Sequence, residues 1–164
     1  MVFLGVDPGS SLTGFGLVSL QTGSPRHVAH GVIRGGSTGP FPHRLQKIYT
    51  GMMEVMERYR PEGVAVETVF HAKNARSSLI MGHARGVILL AAVQAGVEVQ
   101  EYSPVQVKLA VTGYGHAGKD QIRAMVGKLL GIPEVSSLDA SDALAVAICH
   151  AHSQQIQGKL RVNP

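Results

Sequence analysis

Four acidic residues in this chain stand where side chains can do chemistry. Asp7 closes the short apolar run Val2-Phe3-Leu4-Gly5-Val6 and is followed at once by Pro8-Gly9, the signature of a buried strand entering a turn. Glu67 closes a second run of the same kind, Gly63-Val64-Ala65-Val66. If those two strands are neighbours in a sheet, both side chains emerge at one edge, beyond the strand carboxyl ends where ligands usually bind. Asp139 and Asp142 are spaced i, i+3, which puts both on one face of a helix. On a helical wheel they flank the apolar stripe Ala140, Ala143, Leu144, Ala147 and Ala151, so they point toward the rim of the core. Four converging carboxylates repel one another and demand a cation. A ligand set made only of oxygen suits Mg²⁺ or Mn²⁺. Two such ions about 3.5–4 Å apart activate water and stabilise the leaving oxygen of a phosphodiester. Metal-assisted phosphodiester hydrolysis is therefore the chemistry these acids point to. Three of them also have quieter explanations. Asp139 suits a helix N-cap, with Asp142 favoured in the first turn by the helix dipole, and Asp7 suits the head of an Asx turn. Glu67 is harder to explain by local structure.

The elements that must position these acids follow from periodicity. Strands are predicted over 2–7, 12–20, 26–34, 63–67 and 97–102, the second and third joined by a link short enough for an antiparallel hairpin. Leu45, Ile48, Tyr49, Met52, Met53 and Met56 form an amphipathic helical stripe that ends before Pro61. Leu79 to Ala95 is apolar nearly all round, which predicts a central helix rather than a surface one. A short helix is expected from Pro104 to Val111, another from 119 to 130 stopped by Gly131 and Pro133, and a last one from about Asp139 to Gln154. Three meandering strands followed by alternating strand and helix predict an α/β fold, a mixed five-stranded sheet with helices on both faces. One domain is expected over residues 1–154, with 155–164 as a frayed tail.

Composition narrows the class. With 45% hydrophobic and 16% charged residues, the 164-residue chain is globular and too apolar to be disordered. A net charge of +4 permits a polyanionic partner without demanding one. Setting the four acids aside leaves seven acids against 15 basic residues, a distribution suited to phosphate. A lone cysteine excludes an internal disulfide framework and fits a reducing compartment. The first residues lack the basic region of a secretory signal, and the uncharged stretch Gly86 to Val97 is too short to span a bilayer. A cytoplasmic protein with no membrane role is the expectation.

Other motifs fail on inspection. Gly9-Ser10-Ser11-Leu12-Thr13-Gly14 begins like a phosphate-binding loop, but Phe15-Gly16 replaces the required Lys-Ser/Thr. Gly14-Phe15-Gly16 begins a dinucleotide fingerprint, yet Ser19 stands in place of its third glycine. Cys149 and His150 are helix neighbours that point in different directions, so a thiolate nucleophile is disfavoured. Phe70 follows a buried strand among His71, Lys73, Asn74 and Arg76, which suits a base-stacking wedge and equally suits ordinary burial. Lys119 opens a helix after Gly118, where backbone amides and an ammonium attract phosphate. Arg76 and Arg85 suit contacts with phosphate or with a second subunit.

Four blocks of the chain resemble the RuvC family of Holliday-junction resolvases. They are Gly5-Val6-Asp7-Pro8-Gly9-Ser10 with Thr13-Gly14-Phe15-Gly16; Val66-Glu67-Thr68-Val69-Phe70-His71-Ala72-Lys73-Asn74; Ala84-Arg85-Gly86; and Asp139-Ala140-Ser141-Asp142-Ala143-Leu144-Ala145. Their order and spacing fit from about residue 2 to residue 153. The resemblance implies a ribonuclease-H-like fold and a homodimer that cuts two strands of a four-way DNA junction symmetrically during recombination and repair. It also implies a branch-migration complex of the RuvA and RuvB type as partner. By the same resemblance Asp7, Glu67, Asp139 and Asp142 match the family's metal-binding carboxylates. These are expected to hold Mg²⁺, two ions per site, with Mn²⁺ as a substitute. Asp139 stands where some relatives carry histidine. Phe70 matches the family's aromatic residue near the junction crossover, and Lys108 and Lys119 match its basic positions on the DNA backbone; Lys73 and Arg76 are expected to join them. Two rival readings are a nuclease of the same fold acting on structured RNA and an actin-like phosphate-binding ATPase. The second needs two such domains. A binding module without catalysis is a third, against which the full set of acids argues.

Overall fold

The computed structural model describes residues 1–21, 23–68, 74–133, 135 and 137–162. Among them run β1 (Val2–Asp7), β2 (Leu12–Leu20), β3 (Pro25–Arg34), α1 (Phe41–Tyr59), β4 (Gly63–Glu67), α2 (Ala75–Gln94), β5 (Val99–Tyr102), α3 (Pro104–Thr112), α4 (Lys119–Leu130) and α5 (Leu138–Val162). The strands form one mixed sheet in the order β3-β2-β1-β4-β5. β1 pairs antiparallel with β2 and parallel with β4, which in turn pairs parallel with β5. The mixed five-stranded sheet is the one that periodicity predicts. β5 is shorter than 97–102, and α5 runs on to Val162, past the point near Gln154 where its pattern stops.

Alternation along the central strands sends successive side chains to opposite faces. Leu4, Val6, Val64 and Val66 pack with Ile48 and Met52 of α1 and Ala84 and Ile88 of α2. Phe3, Val18 and Ala65 face the other way and pack with α3, α4 and α5.

α2 departs from the expectation of a central helix. It buries Ala84, Ile88, Ala91 and Ala92 against the sheet, but Leu79, Leu90 and Val93 are 65%, 53% and 69% exposed. An apolar helix surface is a demand for some partner surface, and here the chain's own core satisfies only one side. By length and composition alone α2 also qualifies as a membrane-crossing helix. α5 is the central helix. Every residue from Ala143 to Ala151 is buried, in a run of alanines small enough to let its backbone lie directly on the sheet.

That close approach needs clearance on the strands. A Cβ on Gly5 would come closer than 3.0 Å to the Ala143 carbonyl oxygen and Ala147 nitrogen, and one on Gly14 would strike the Asp139 carbonyl. Glycine at these two positions lets the first turns of α5 rest on β1 and β2.

Candidate active site

The carboxylates are brought together by parity and register. Asp7 shares a strand face with Phe3 and Gly5, the α5 side of the sheet, and Glu67 shares the same side with Gly63 and Ala65. Val6 is opposite Val66, so the two acids leave adjacent strand ends side by side. Asp7 is also opposite Gly14, over which the Asp139 backbone lies, and Asp142 adjoins Ala143, whose carbonyl lies over Gly5.

Neither quieter explanation accounts for these acids. Ser137 precedes α5 and its hydroxyl accepts from the Ala140 amide at 3.4 Å, so Ser137 performs the capping and Asp139 stands free in the first turn. Among the described residues no hydrogen bond engages the Asp7 carboxylate, so no Asx turn is formed. The loop after Asp7 is held by other groups. Thr13 Oγ1 donates to the Gly9 carbonyl at 2.8 Å, and Arg44 Nη2 donates to the Ser10 carbonyl at 3.0 Å and to Ser11 Oγ at 2.9 Å.

Electrostatics couples the four acids. Burial pushes the Asp7 carboxyl up to about 7, reinforced by the charges of Asp142, Asp139 and Glu67 and opposed by Lys119. Glu67 is raised by burial and then by Asp142, while Lys108 and Lys119 pull it down. Asp142 is raised by burial and by Asp139, with Lys119 opposing; the Lys119 ammonium lies 4.0 Å from Asp142 Oδ2. Four acids and two lysines thus act on one another at one sheet edge, the kind of mutual perturbation that functional sites concentrate. Among the described residues no three acid, histidine or cysteine side chains already form a closed cage for an ion. Oxygen donors in this number suit a hard divalent cation, and the flanking ammoniums suit a phosphate.

The remaining predicted residues divide. Lys108 and Lys119 lie beside the acids, Lys119 with 80% of its side chain exposed. The Gly118 amide before α4 is taken by Gln121 Oε1 at 2.9 Å, so that donor is not free for phosphate. Arg76 is exposed in the first turn of α2. Phe70 and Lys73 lie outside the described residues. Cys149 is buried, which pushes its thiol up to about 11, and His150, pushed down to about 4 by burial, shares a 2.8 Å hydrogen bond with the Tyr102 hydroxyl. That pair belongs to the core, as the sequence suggests.

Two arginines carry more than the sequence reading assigned them. Arg44 sits one turn before Ile48 and two before Met52, a charge on a buried stripe, and it secures the loop beside Asp7. Arg85 donates from Nη1 to the Glu67 carbonyl at 2.8 Å and pairs through Nη2 with Glu101 at 2.7 Å. Arg85, for which the sequence leaves open phosphate or a second subunit, is bonded within the chain to β4 and β5.

A family model described as "Crossover junction endodeoxyribonuclease RuvC" matches residues 3–150. A relative of that name from Geobacter sp. (strain M21) is 53% identical over 161 residues, 98% of each chain. Another from Citrifermentans bemidjiense is 54% identical over 156 residues, 95% of each. Among solved structures, Thermus thermophilus RuvC in complex with Holliday junction substrate superposes with a TM-score of 0.90 at 36% identity, covering 96% of both chains. The yeast mitochondrial Holliday junction resolvase shares the fold, with a TM-score of 0.69 at 14% identity over 93% of this chain and 78% of that one.

Proposed function

The chain belongs to the RuvC family of crossover junction endodeoxyribonucleases, phosphodiester hydrolases that resolve Holliday junctions, and on that premise we propose that Asp7, Glu67, Asp139 and Asp142 are its catalytic carboxylates. Its fold is accordingly ribonuclease-H-like. The observation that carries the proposal is the convergence of Asp7, Glu67 and Asp142 at one sheet edge, where burial first and neighbouring acids second raise all three while Lys119 opposes.

That elevation suits a cation site, since a group of crowded acids gains most from a divalent counter-charge. Asp7 is central, flanked by Glu67 and Asp142, with Asp139 assisting, and together they would hold Mg²⁺ or Mn²⁺, two ions per site. When bound, such ions activate water and stabilise the departing 3′ oxygen. The protein's own groups do the positioning. Lys119 reaches from the start of α4 to draw the scissile phosphate toward Asp142, and Lys108 does the same near Glu67. Phe70 serves as the wedge at the crossover, with Lys73 and Arg76 holding the backbone of the same arm.

Symmetric cutting needs two sites related by a two-fold axis. The outward face of α2 suits that contact. Leu79, Gly82, Gly86, Leu90 and Val93 recur at helical spacing, and nothing within 4 Å would meet a Cβ on Gly82 or Gly86. A helix from a second copy can approach closely there and cover the exposed leucines. A branch-migration complex of the RuvA and RuvB type is the further partner, and the cytoplasm the compartment. The catalytic unit spans 1–154, which is supported by Ala151 being followed by half-buried and then exposed residues from 152 to 158.

The test incubates the protein with an immobile four-way junction, matched duplex and structured RNA, with Mg²⁺ and with chelator. Paired symmetric nicks in the junction alone, lost in chelator and in Asp7→Asn, are expected. Equal cutting of duplex or RNA would overturn the proposal, as would undiminished cutting by Asp7→Asn.

A further inference from the structure

We infer that Arg85 is the positioning residue for Glu67, and that it acts from α2 by clamping the backbone from which that carboxylate projects. The inference rests on Glu67 being a catalytic acid. Glu67 is the last residue of β4, where sheet pairing is running out. The next peptide is tied to β5, since the Thr68 amide and hydroxyl both donate to the Tyr102 carbonyl, at 2.8 and 3.2 Å. The Glu67 carbonyl, on the opposite side of that same peptide, is held by Arg85 Nη1 at 2.8 Å. The other arm of the same guanidinium reaches Glu101 Oε1 at 2.7 Å, on the β5 residue opposite Val66. One planar fork thereby joins α2 to two adjacent strands at the edge where the acids emerge.

Burial decides which of the two bonds matters more. Glu101 is 48% exposed, so its ion pair is screened and weak. Arg85 is only 19% exposed, and a charge-assisted bond to a strand-end carbonyl is strong and directional. Along α2, Arg85 lies three residues before Ile88 and seven before Ala92, on the stripe that meets the sheet. Its neighbour Gly86 lies on the outward stripe. The helix offered above as the subunit contact is thus bonded on its other side to the backbone of Glu67, so a displacement of α2 is a displacement of that acid. Lysine cannot reproduce the arrangement, because a single ammonium lacks the fork that spans both acceptors.

The test uses full-length Arg85→Gln and Arg85→Lys with four readouts: Mn²⁺ affinity by calorimetry, junction affinity in chelator, single-turnover cleavage, and sedimentation. Residues that orient metal ligands typically affect affinity or activity by about 10- to 100-fold. Arg85→Gln is therefore expected to weaken Mn²⁺ binding and slow cleavage within that range, with junction affinity and sedimentation unchanged. Arg85→Lys is expected to recover part of both losses. Wild-type Mn²⁺ affinity and rate in Arg85→Gln would overturn the inference. So would a loss of junction affinity equal to the loss of rate in both variants, which marks a general structural role. Glu67→Gln separates the layers. If it cleaves normally, the catalytic reading of Glu67 falls; if it is inactive while Arg85→Gln is indifferent, only the role of Arg85 falls.

Discussion

Replacing Asp7 with asparagine should stabilise the metal-free protein while abolishing cleavage. The carboxyl of Asp7 titrates near 7 in the folded chain against an ordinary value of 3.8, chiefly through burial and then through its acidic neighbours. Between those two values the folded chain holds a proton that the unfolded chain has released, so stability falls as pH rises through the window. Above pH 7 the full penalty stands. One pKa unit corresponds to about 1.4 kcal/mol, so roughly three units make the ionised Asp7 destabilising by about 4 kcal/mol. Relaxation of the site and the acids that remain will reduce this, and a gain of about 2–4 kcal/mol is expected in Asp7→Asn at pH 8. At about 2–4 °C per kcal/mol for a chain of this size, the midpoint should rise by roughly 5–15 °C. Urea unfolding of both proteins in chelator, at pH 8 and near pH 4, measures the difference. It should be large at pH 8 and shrink toward zero near pH 4, where Asp7 is protonated in the folded protein and close to half protonated in the unfolded one. Mg²⁺ should narrow the gap at pH 8 by stabilising only the wild type. An Asp7→Asn protein no more stable than wild type at pH 8 in chelator would refute the argument from burial and crowding.

Four further outcomes follow from the same geometry. Gly14→Ala pushes a methyl group into the Asp139 carbonyl and should cost about 1–3 kcal/mol in urea unfolding, with cleavage falling more than stability alone explains. Lys119→Ala removes the cation that opposes ionisation-blocking repulsion at Asp7, Glu67 and Asp142, so the acid limb of the cleavage rate profile should move to higher pH. Leu90→Glu places a charge on the outward face of α2 and, by the subunit contact proposed above, should shift sedimentation toward monomer without changing the circular dichroism spectrum. His150, pushed from 6.5 down to about 4, stays neutral in the fold while the unfolded chain takes up its proton. Stability should therefore decline as pH drops from 6.5 to 4, at up to about 1.4 kcal/mol per unit. In His150→Asn that decline should flatten although the protein is weaker throughout.

The acids were legible in the sequence because local periodicity is what places them. Strand alternation sends Asp7 and Glu67 to one face, and an i, i+3 helical spacing keeps Asp139 with Asp142. What stayed hidden depends on partners distant along the chain. Glycine alternation in Gly14-Phe15-Gly16 reads as a broken nucleotide motif until α5, more than a hundred residues later, is laid on it. Asp139 suits an N-cap by residue type, and only the Ala140 amide, which donates to Ser137, shows that the cap lies two residues earlier. The apolar surface of α2 predicts burial, but hydrophobicity reports a need for cover and says nothing of which molecule supplies it. Arg44 and Arg85 look like surface charges until their acceptors, backbone carbonyls beside the acids, are known. Backbone carbonyls leave no mark on side-chain composition. A site can therefore show its chemistry in local spacing while the bonds that hold it in shape stay unreadable until the chain is folded.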